Sequence, residues 1–137
     1  MYGRSKRCLH AALLWVLMLL TSACSETVEQ QVAKALQDAL EDLYAEKPDV
    51  DAYMQRLDFG QSLDSIHYTL FADAIRQQLQ FEGHASRVRA WSKPKVKMQN
   101  DSVATVFYTL YLADGDSLCK GQKMVRDGAV WKLRMKD

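Results

Sequence analysis

The segment "RVRAWSKPKVKM", residues 87–98, places a charged or aromatic side chain at every second position. In a regular strand, alternate side chains lie on the same face of the sheet. The last strand-like run extends this basic face, since Lys132 and Arg134 alternate there with the apolar Trp131 and Leu133. A face of this kind attracts anions. Its candidate contact residues are Arg87, Arg89, Trp91, Lys93, Lys132 and Arg134.

A solvated strand face explains the same pattern without any ligand. Lysines on a strand discourage sheets from pairing edge to edge. Pro94 fits an edge strand or a bulge, and a bulge would turn Lys95 and Lys97 to the opposite face. Both interpretations therefore remain open at this stage.

Few other residues have a type and spacing that indicate chemistry. The chain contains no nucleophile elbow, phosphate-binding loop, zinc-protease motif or C-x-x-C pair, so we expect no catalytic residue, metal or cofactor on this ground. His67 and His84 are 17 positions apart, which is no metal-ligand spacing. His67 falls within the apolar arc of a predicted helix, so we expect it to face the core or a pocket. It is either a hydrogen-bonded core histidine or a pocket-lining acid or base.

The first 24 residues have the organisation of a bacterial export signal. Arg4, Lys6 and Arg7 precede the apolar run "CLHAALLWVLMLL", which is shorter than the about 20 residues that span a membrane. The following "LLTSAC" resembles the lipobox of bacterial lipoproteins, with Thr21 where leucine is commonest. This resemblance implies removal of residues 1–23 and lipid attachment at Cys24. An ordinary signal peptide followed by a chance cysteine is the alternative.

A lipid at Cys24 predicts the location of the protein and its partners. The N-terminal lipid would anchor the protein in the bacterial cell envelope. Some lipoproteins carry aspartate directly after the lipidated cysteine, and this aspartate retains them in the inner membrane. Ser25 at that position therefore implies, by similarity, the outer membrane, with the domain facing the periplasm. In that compartment the basic face would meet anionic lipid, lipopolysaccharide or an acidic envelope protein, and no nucleic acid. Cys119 would be the one remaining cysteine, and we expect it to be a small buried residue.

Charge is unevenly distributed along the chain, and three helices are expected in its acidic part. Residues 24–82 carry 12 acidic and 4 basic side chains, whereas residues 83–137 carry 11 basic and 5 acidic. The run "ETVEQQVAKALQDALEDLYAEKPD" has apolar residues at helical spacing up to Pro48, and "DVDAYMQRLDFGQ" predicts a short helix ending near Gly60. A second long helix, "SLDSIHYTLFADAIRQQLQFEG", would begin after Ser62 as N-cap and end at Gly83. Its expected buried stripe is Leu63, Ile66, Leu70, Phe71, Ala74, Ile75 and Leu79.

Four strand-like runs follow, at residues 85–98, 102–113, 117–126 and 129–136. The turns between them are short, and Asp127-Gly128 is a strong hairpin signal, so the strands should form an antiparallel meander. Helices followed by such a meander predict an α+β fold. The element order, the first helix "DAL…LYAEKPD" and the closing "VRDGAVWKLRM" resemble the nuclear transport factor 2-like (cystatin-like) superfamily. The resemblance implies a single domain, residues 24–137, with N-terminal helices packed on a curved four-stranded antiparallel sheet that forms a cone.

Two functions of different classes fit these features. One is a noncatalytic binding or accessory module anchored at the envelope. The other is a small cone-pocket enzyme of the isomerase or dehydratase type, as found in the superfamily. An isolated carboxylate in the cone beside His67 or a tyrosine would favour the enzyme, whereas a cone filled by Trp131, Leu133 and Phe107 would favour the binding module.

Overall fold

Helix α1, Val28–Tyr44, begins at a complete capping box. The computed structural model describes residues 26–81 and 87–135. The Thr27 hydroxyl accepts a hydrogen bond from the Gln30 backbone N–H, and the Gln30 side chain accepts one from the Thr27 N–H. These two bonds satisfy donors that a helix start leaves unpaired. The helix ends at Tyr44, four residues before Pro48.

Two more helices follow α1 in the described chain. Helix α2 is short, Val50–Gln55, and is capped by the Asp49 side chain. Its C-cap residue, Arg56, donates to the Asp42 carboxylate at 2.6 Å and thereby ties α2 to α1. Helix α3 spans Ser65–Phe81. The three predicted helices are therefore present, but α2 ends at Gln55 and not near Gly60, because Leu57 and Asp58 form a strand.

Six strands form one mixed sheet. They are β1 Leu57–Asp58, β2 Val88–Trp91, β3 Lys95–Met98, β4 Val103–Leu112, β5 Ser117–Asp127 and β6 Val130–Arg134. The spatial order is β1-β6-β5-β4-β2, and β3 pairs with the other half of the same edge of β4. Strands β4, β5 and β6 form the predicted antiparallel meander, with Gly128 at φ 62° in the last turn.

The expected four-stranded antiparallel sheet differs from the observed one in two respects. Strand β1 pairs in parallel with β6, with Leu57 opposite Leu133, and two residues are too short to show a strand pattern in the sequence. The run 85–98 is divided into β2 and β3, because the chain leaves strand geometry at residues 92–94. The α+β class is confirmed.

The core lies between α1 and the face of the sheet that we call the inner face. Helix α1 buries Val32, Leu36, Ala39 and Leu40 against it. The sheet contributes Val88, Ala104, Val106, Leu110, Met124, Trp131 and Leu133. Burial of these apolar side chains supplies the main favourable term in folding.

Helix α3 packs with part of its predicted stripe, namely Phe71, Ile75 and Leu79, and with two residues outside that stripe, Tyr68 and Ala72. Tyr68, Phe71, Ala72, Ile75 and Leu79 contact the core, and Phe71 meets Phe59 edge to face, with ring centroids 5.1 Å apart. Ile66 and Leu70, expected inside, are 69% and 63% exposed. The helix carries two apolar stripes, and periodicity does not tell which one is buried.

The predicted leader, residues 1–23, and the lipid site Cys24 lie outside the described residues, so both stay predictions. Within the described ranges, none of the three helices has the length and apolar character needed to cross a membrane.

Candidate functional site

The register of the sheet assigns each basic residue to a face. Ala104, Val106 and Leu110 of β4 are buried on the inner face, so Thr105, Phe107, Thr109 and Tyr111 lie on the opposite, outer face. Directly paired residues of neighbouring strands share a face. On this basis Lys95, Lys97 and Lys123, which pair with Phe107 and Thr105, are outer-face residues.

The alternating stripe of residues 87–97 does not share one face, and the register instead confirms the alternative of a bulge near Pro94. Trp91 pairs with Leu110 on the inner face, where its ring lies 6.4 Å from that of Tyr44. From Trp91 to Lys95 the chain advances four residues while β4 advances three, from Leu110 to Phe107. This extra residue, beside Pro94, turns Lys95 and Lys97 to the face opposite Trp91. A second irregularity lies between Val88 and Ala90.

The remaining candidate basic residues fall into two groups. The first group, Arg87, Arg89 and Lys93, is exposed. Arg87 directly precedes β2, Arg89 lies at the register shift within β2, and Lys93 lies in the break before β3. Lys132 and Arg134 lie on the outer side of β6, but each has an acidic partner. Lys132 Nζ is 3.2 Å from Asp127, and Arg134 Nη1 is 3.0 Å from Asp58. These partners reduce the charge that the two residues offer to a ligand.

Three outer-face lysines form the densest unpaired basic cluster that we find on described strands. Lys97 and Lys123 lie on either side of Thr105, and Lys95 lies beside Phe107. Since neighbouring strands are about 4.8 Å apart, the stems of Lys97 and Lys123 are separated by about 10 Å. No described acidic side chain forms a salt bridge with any of the three.

An exposed aromatic ring lies next to these charges. Phe107 is 49% exposed, and its ring lies over Gly121 of β5, where a Cβ atom would come within 3.4 Å of the ring. We call Lys95, Lys97, Lys123 and Phe107 the outer basic patch. Sequence reasoning missed Lys123, although the hairpin register between β4 and β5 places it beside Thr105.

His67 is not in the core or in a pocket, so that prediction is wrong. Its side chain is 69% exposed, and its Nδ1 lies 2.8 Å from both carboxylate oxygens of Asp64. The backbone N–H of His67 also donates to Asp64 at 2.8 Å, which makes Asp64 the N-cap of α3 in place of the predicted Ser62. Hydrogen bonds from the His67 backbone and then from its side chain lower the pKa of Asp64.

The interior offers no acid–base pair among the residues that the structure describes. None of its buried residues is polar or charged. Trp131 and Leu133 are 4% and 3% exposed and fill the space beside α1, whereas Phe107 lies outside. Burial raises the pKa of the Tyr53 and Tyr108 phenols, and the proximity of Tyr53 adds to the increase at Tyr108.

Two further expectations concern metal binding and Cys119. No group of three potential metal ligands occurs within residues 26–81 and 87–135. Cys119, predicted to be buried, is exposed on the outer face, with its sulfur 4.0 Å from the Thr109 hydroxyl. No described helix covers the outer face of its strand, β5. The alternation of apolar and polar residues in the sequence does not reveal that this face is uncovered.

Comparison with known proteins supports the fold. No family model and no curated protein matches the sequence. An NTF2-like transpeptidase from Campylobacter jejuni aligns with a TM-score of 0.56, over 75% of this chain and 96% of its own, at 14% identity. The Aln2 protein from a Streptomyces species aligns with a TM-score of 0.47, over 76% of this chain and 83% of its own, also at 14% identity. The first likeness shows that the chain has a nuclear transport factor 2-like fold, and at this identity it shows the fold alone.

Proposed function

We propose that this protein is a noncatalytic binding module, anchored in the bacterial envelope by lipid on Cys24, whose outer basic patch contacts phosphate groups of that envelope. The observation that carries the proposal is the placement of Lys97 and Lys123 on both sides of Thr105, with no acidic partner in the described chain. Phospholipid head groups and lipopolysaccharide offer the same anionic phosphate chemistry.

The position of Lys123 argues against a purely protective role for the patch. Lysines that prevent edge-to-edge pairing are needed on edge strands. Lys95 and Lys97 lie on such a strand, but Lys123 lies on β5, which has β4 on one side and β6 on the other. Its charge protects no edge and adds to the potential of the face. The half-exposed ring of Phe107 adds apolar area of the kind found at membrane–water boundaries.

The binding free energy expected of the outer basic patch is small, so the patch would orient the domain on the membrane and would not by itself recruit the protein to it. A basic residue close to an anionic membrane contributes about 1 kcal/mol, so three contribute about 3 kcal/mol, and salt weakens them. Two or more acyl chains on Cys24 would provide the stable attachment. Helix α1 begins at Val28, four residues after Cys24, so a lipid-anchored domain would stay close to the bilayer.

The cone-pocket enzyme remains the second candidate, but no described contact favours it. Asp58 is paired with Arg134 and Asp73 with Arg76, so neither carboxylate stands isolated in the interior. The transpeptidase activity in the name of the Campylobacter protein belongs to that protein, and a fold does not determine an activity.

A vesicle-binding experiment tests the proposed function. Protein comprising residues 26–137, checked for helix content by circular dichroism, is mixed with phosphatidylglycerol vesicles, phosphatidylcholine vesicles and lipopolysaccharide at low and moderate salt. We expect binding to the two phosphate-rich anionic surfaces that decreases with salt, and little binding to the neutral vesicles. Equal, negligible binding to all three would contradict the proposal and leave an acidic protein as the remaining class of partner.

A further inference from the structure

A cleft of about 620 Å³ opens at the side of the domain, away from the outer basic patch. It lies between the end of α1, the start of α2, the C-terminal half of α3 and the start of β2. Its volume falls within the range of about 300–1,000 Å³ that is typical of small-molecule sites. It reaches the inner face of the sheet at Val88, beside the end of α1, whereas Trp131, Leu133 and Met124 pack further along that face and do not line it.

The walls of the cleft combine apolar and polar groups, and most of the apolar ones belong to helices and a strand. Val50 and Val88 are 5% and 8% exposed, and Leu43 and Leu79 face them from α1 and α3. Tyr44 is held in place by its contact with Trp91. Such walls offer a preformed surface to an apolar ligand.

The polar groups of the cleft differ in how far they are already paired. Arg76 is bonded to Asp73 at 2.9 Å and to Asp51 at 3.0 Å, so its charge is compensated. Arg87 has no acidic partner among the described residues. Its guanidinium is a fork of donors that suits a carboxylate or phosphate.

The electrostatics also indicate an orientation for a ligand. The α1 terminus at Tyr44 carries the negative end of the helix dipole and has no basic residue in its last turn. Glu46, on the following loop, adds a negative charge at the same rim. An anionic group is therefore disfavoured beside the end of α1 and favoured beside Arg87.

We infer that this cleft binds a small amphipathic anion, whose carboxylate or phosphate is held by Arg87 and whose apolar body packs against Leu43, Val50 and Leu79. The inference is independent of the outer basic patch, because it uses other residues and another face of the domain. It needs no chemical step.

Photolabelling of the full chain in detergent tests the cleft directly. The probes are a medium-chain alkyl diazirine carboxylate and the alcohol of the same length, and labelled peptides are identified by mass spectrometry. We expect saturable labelling of peptides that contain Leu43 to Val50 and Leu79. Arg87→Gln should raise the half-saturating concentration of the carboxylate about tenfold and leave that of the alcohol unchanged.

Three variants make the test decisive. Arg89→Gln is the matched control, since Arg89 is exposed, carries the same charge and does not line the cleft. Glu46→Gln should improve labelling by the carboxylate alone. Ala45→Phe, at an exposed position on the rim, should reduce labelling by both probes while the circular dichroism spectrum is unchanged.

Several results would overturn the inference. Labelling concentrated at Ile66 and Leu70 would place the probes on the exposed stripe of α3. Equal effects of Arg87→Gln and Arg89→Gln would remove Arg87 from the site. Unchanged labelling in folded Ala45→Phe would show that the cleft is not occupied.

Discussion

Separate replacement of Leu36 and of Ile66 by alanine shows which of two helix stripes is buried, although the two stripes look alike in the sequence. Both residues lie in long helices and both fit the three-and-four spacing of an apolar stripe. In the structure Leu36 is 0% exposed between α1 and the sheet, whereas Ile66 is 69% exposed on α3. The two substitutions should therefore have very different effects on the free energy of unfolding.

The expected magnitudes follow from these exposures. Leu36→Ala removes a fully buried side chain and leaves a cavity, which costs about 2–5 kcal/mol. Ile66→Ala removes little buried area, and alanine is the better helix former, so the change should stay within about 0.5 kcal/mol. With a urea slope of about 2 kcal/mol/M, Leu36→Ala lowers the unfolding midpoint by about 1–2.5 M.

The assay is urea unfolding of residues 26–137, followed by far-ultraviolet circular dichroism and by tryptophan fluorescence. Both probes should give the same midpoint, and the slopes should equal that of the parent protein. A cost for Ile66→Ala as large as that for Leu36→Ala would refute the placement of α3. An unchanged midpoint for Leu36→Ala would refute the packing of α1 on the sheet.

Three other expectations have direct measurements. Intact-mass analysis of membrane-extracted protein should show a chain that begins at Cys24 with added acyl mass, and an acyl-free chain would contradict the anchor. Asp64→Ala should fray the start of α3, which would be measured as faster amide hydrogen exchange there. Because the pKa of Asp64 is lowered from 3.8 in the folded protein, its contribution to stability is complete above pH 3.8 and is lost as the pH falls through the pKa of the folded state. A carboxyl NMR titration measures that pKa. Tyr53 and Tyr108 should ionise above pH 10.0 in an ultraviolet titration, and Tyr53→Phe should lower the pKa of Tyr108 without returning it to 10.0, because burial is the larger cause.

Sequence reasoning worked best where one local signal determines one structural feature. The apolar spacing before Pro48 correctly predicted helix α1, whose apolar face includes the buried Val32, Leu36 and Leu40. The Asp127-Gly128 pair correctly marked the turn between β5 and β6, because Gly128 readily adopts the positive φ that this turn requires. The element order predicted the α+β class, and together with the first helix and the closing segment it predicted the nuclear transport factor 2-like fold.

It failed where the face of a side chain depends on pairing between distant parts of the chain. One extra residue near Pro94 separates Trp91 from Lys95 and Lys97, and the strand pattern alone does not show whether a proline produces that bulge. Pairing with distant acidic residues is equally invisible, so Arg134 seemed available although Asp58 binds it. The outer basic patch became recognisable only when the register of β3, β4 and β5 was known.

The measurement that tests the central claim most directly compares two triple variants in vesicle binding. Lys95→Gln, Lys97→Gln and Lys123→Gln together remove the charges of the outer basic patch. The control combines Lys34→Gln, Lys47→Gln and Lys120→Gln, which are exposed and lower the net charge equally; Lys120 lies on the inner face, opposite Tyr108. At low salt the patch variant should lose about 100-fold in partition onto phosphatidylglycerol vesicles, from about 1 kcal/mol per lysine, and the control should stay within about threefold of the parent. Equal losses in the two variants would show that net charge alone governs binding and would contradict the assignment of the face.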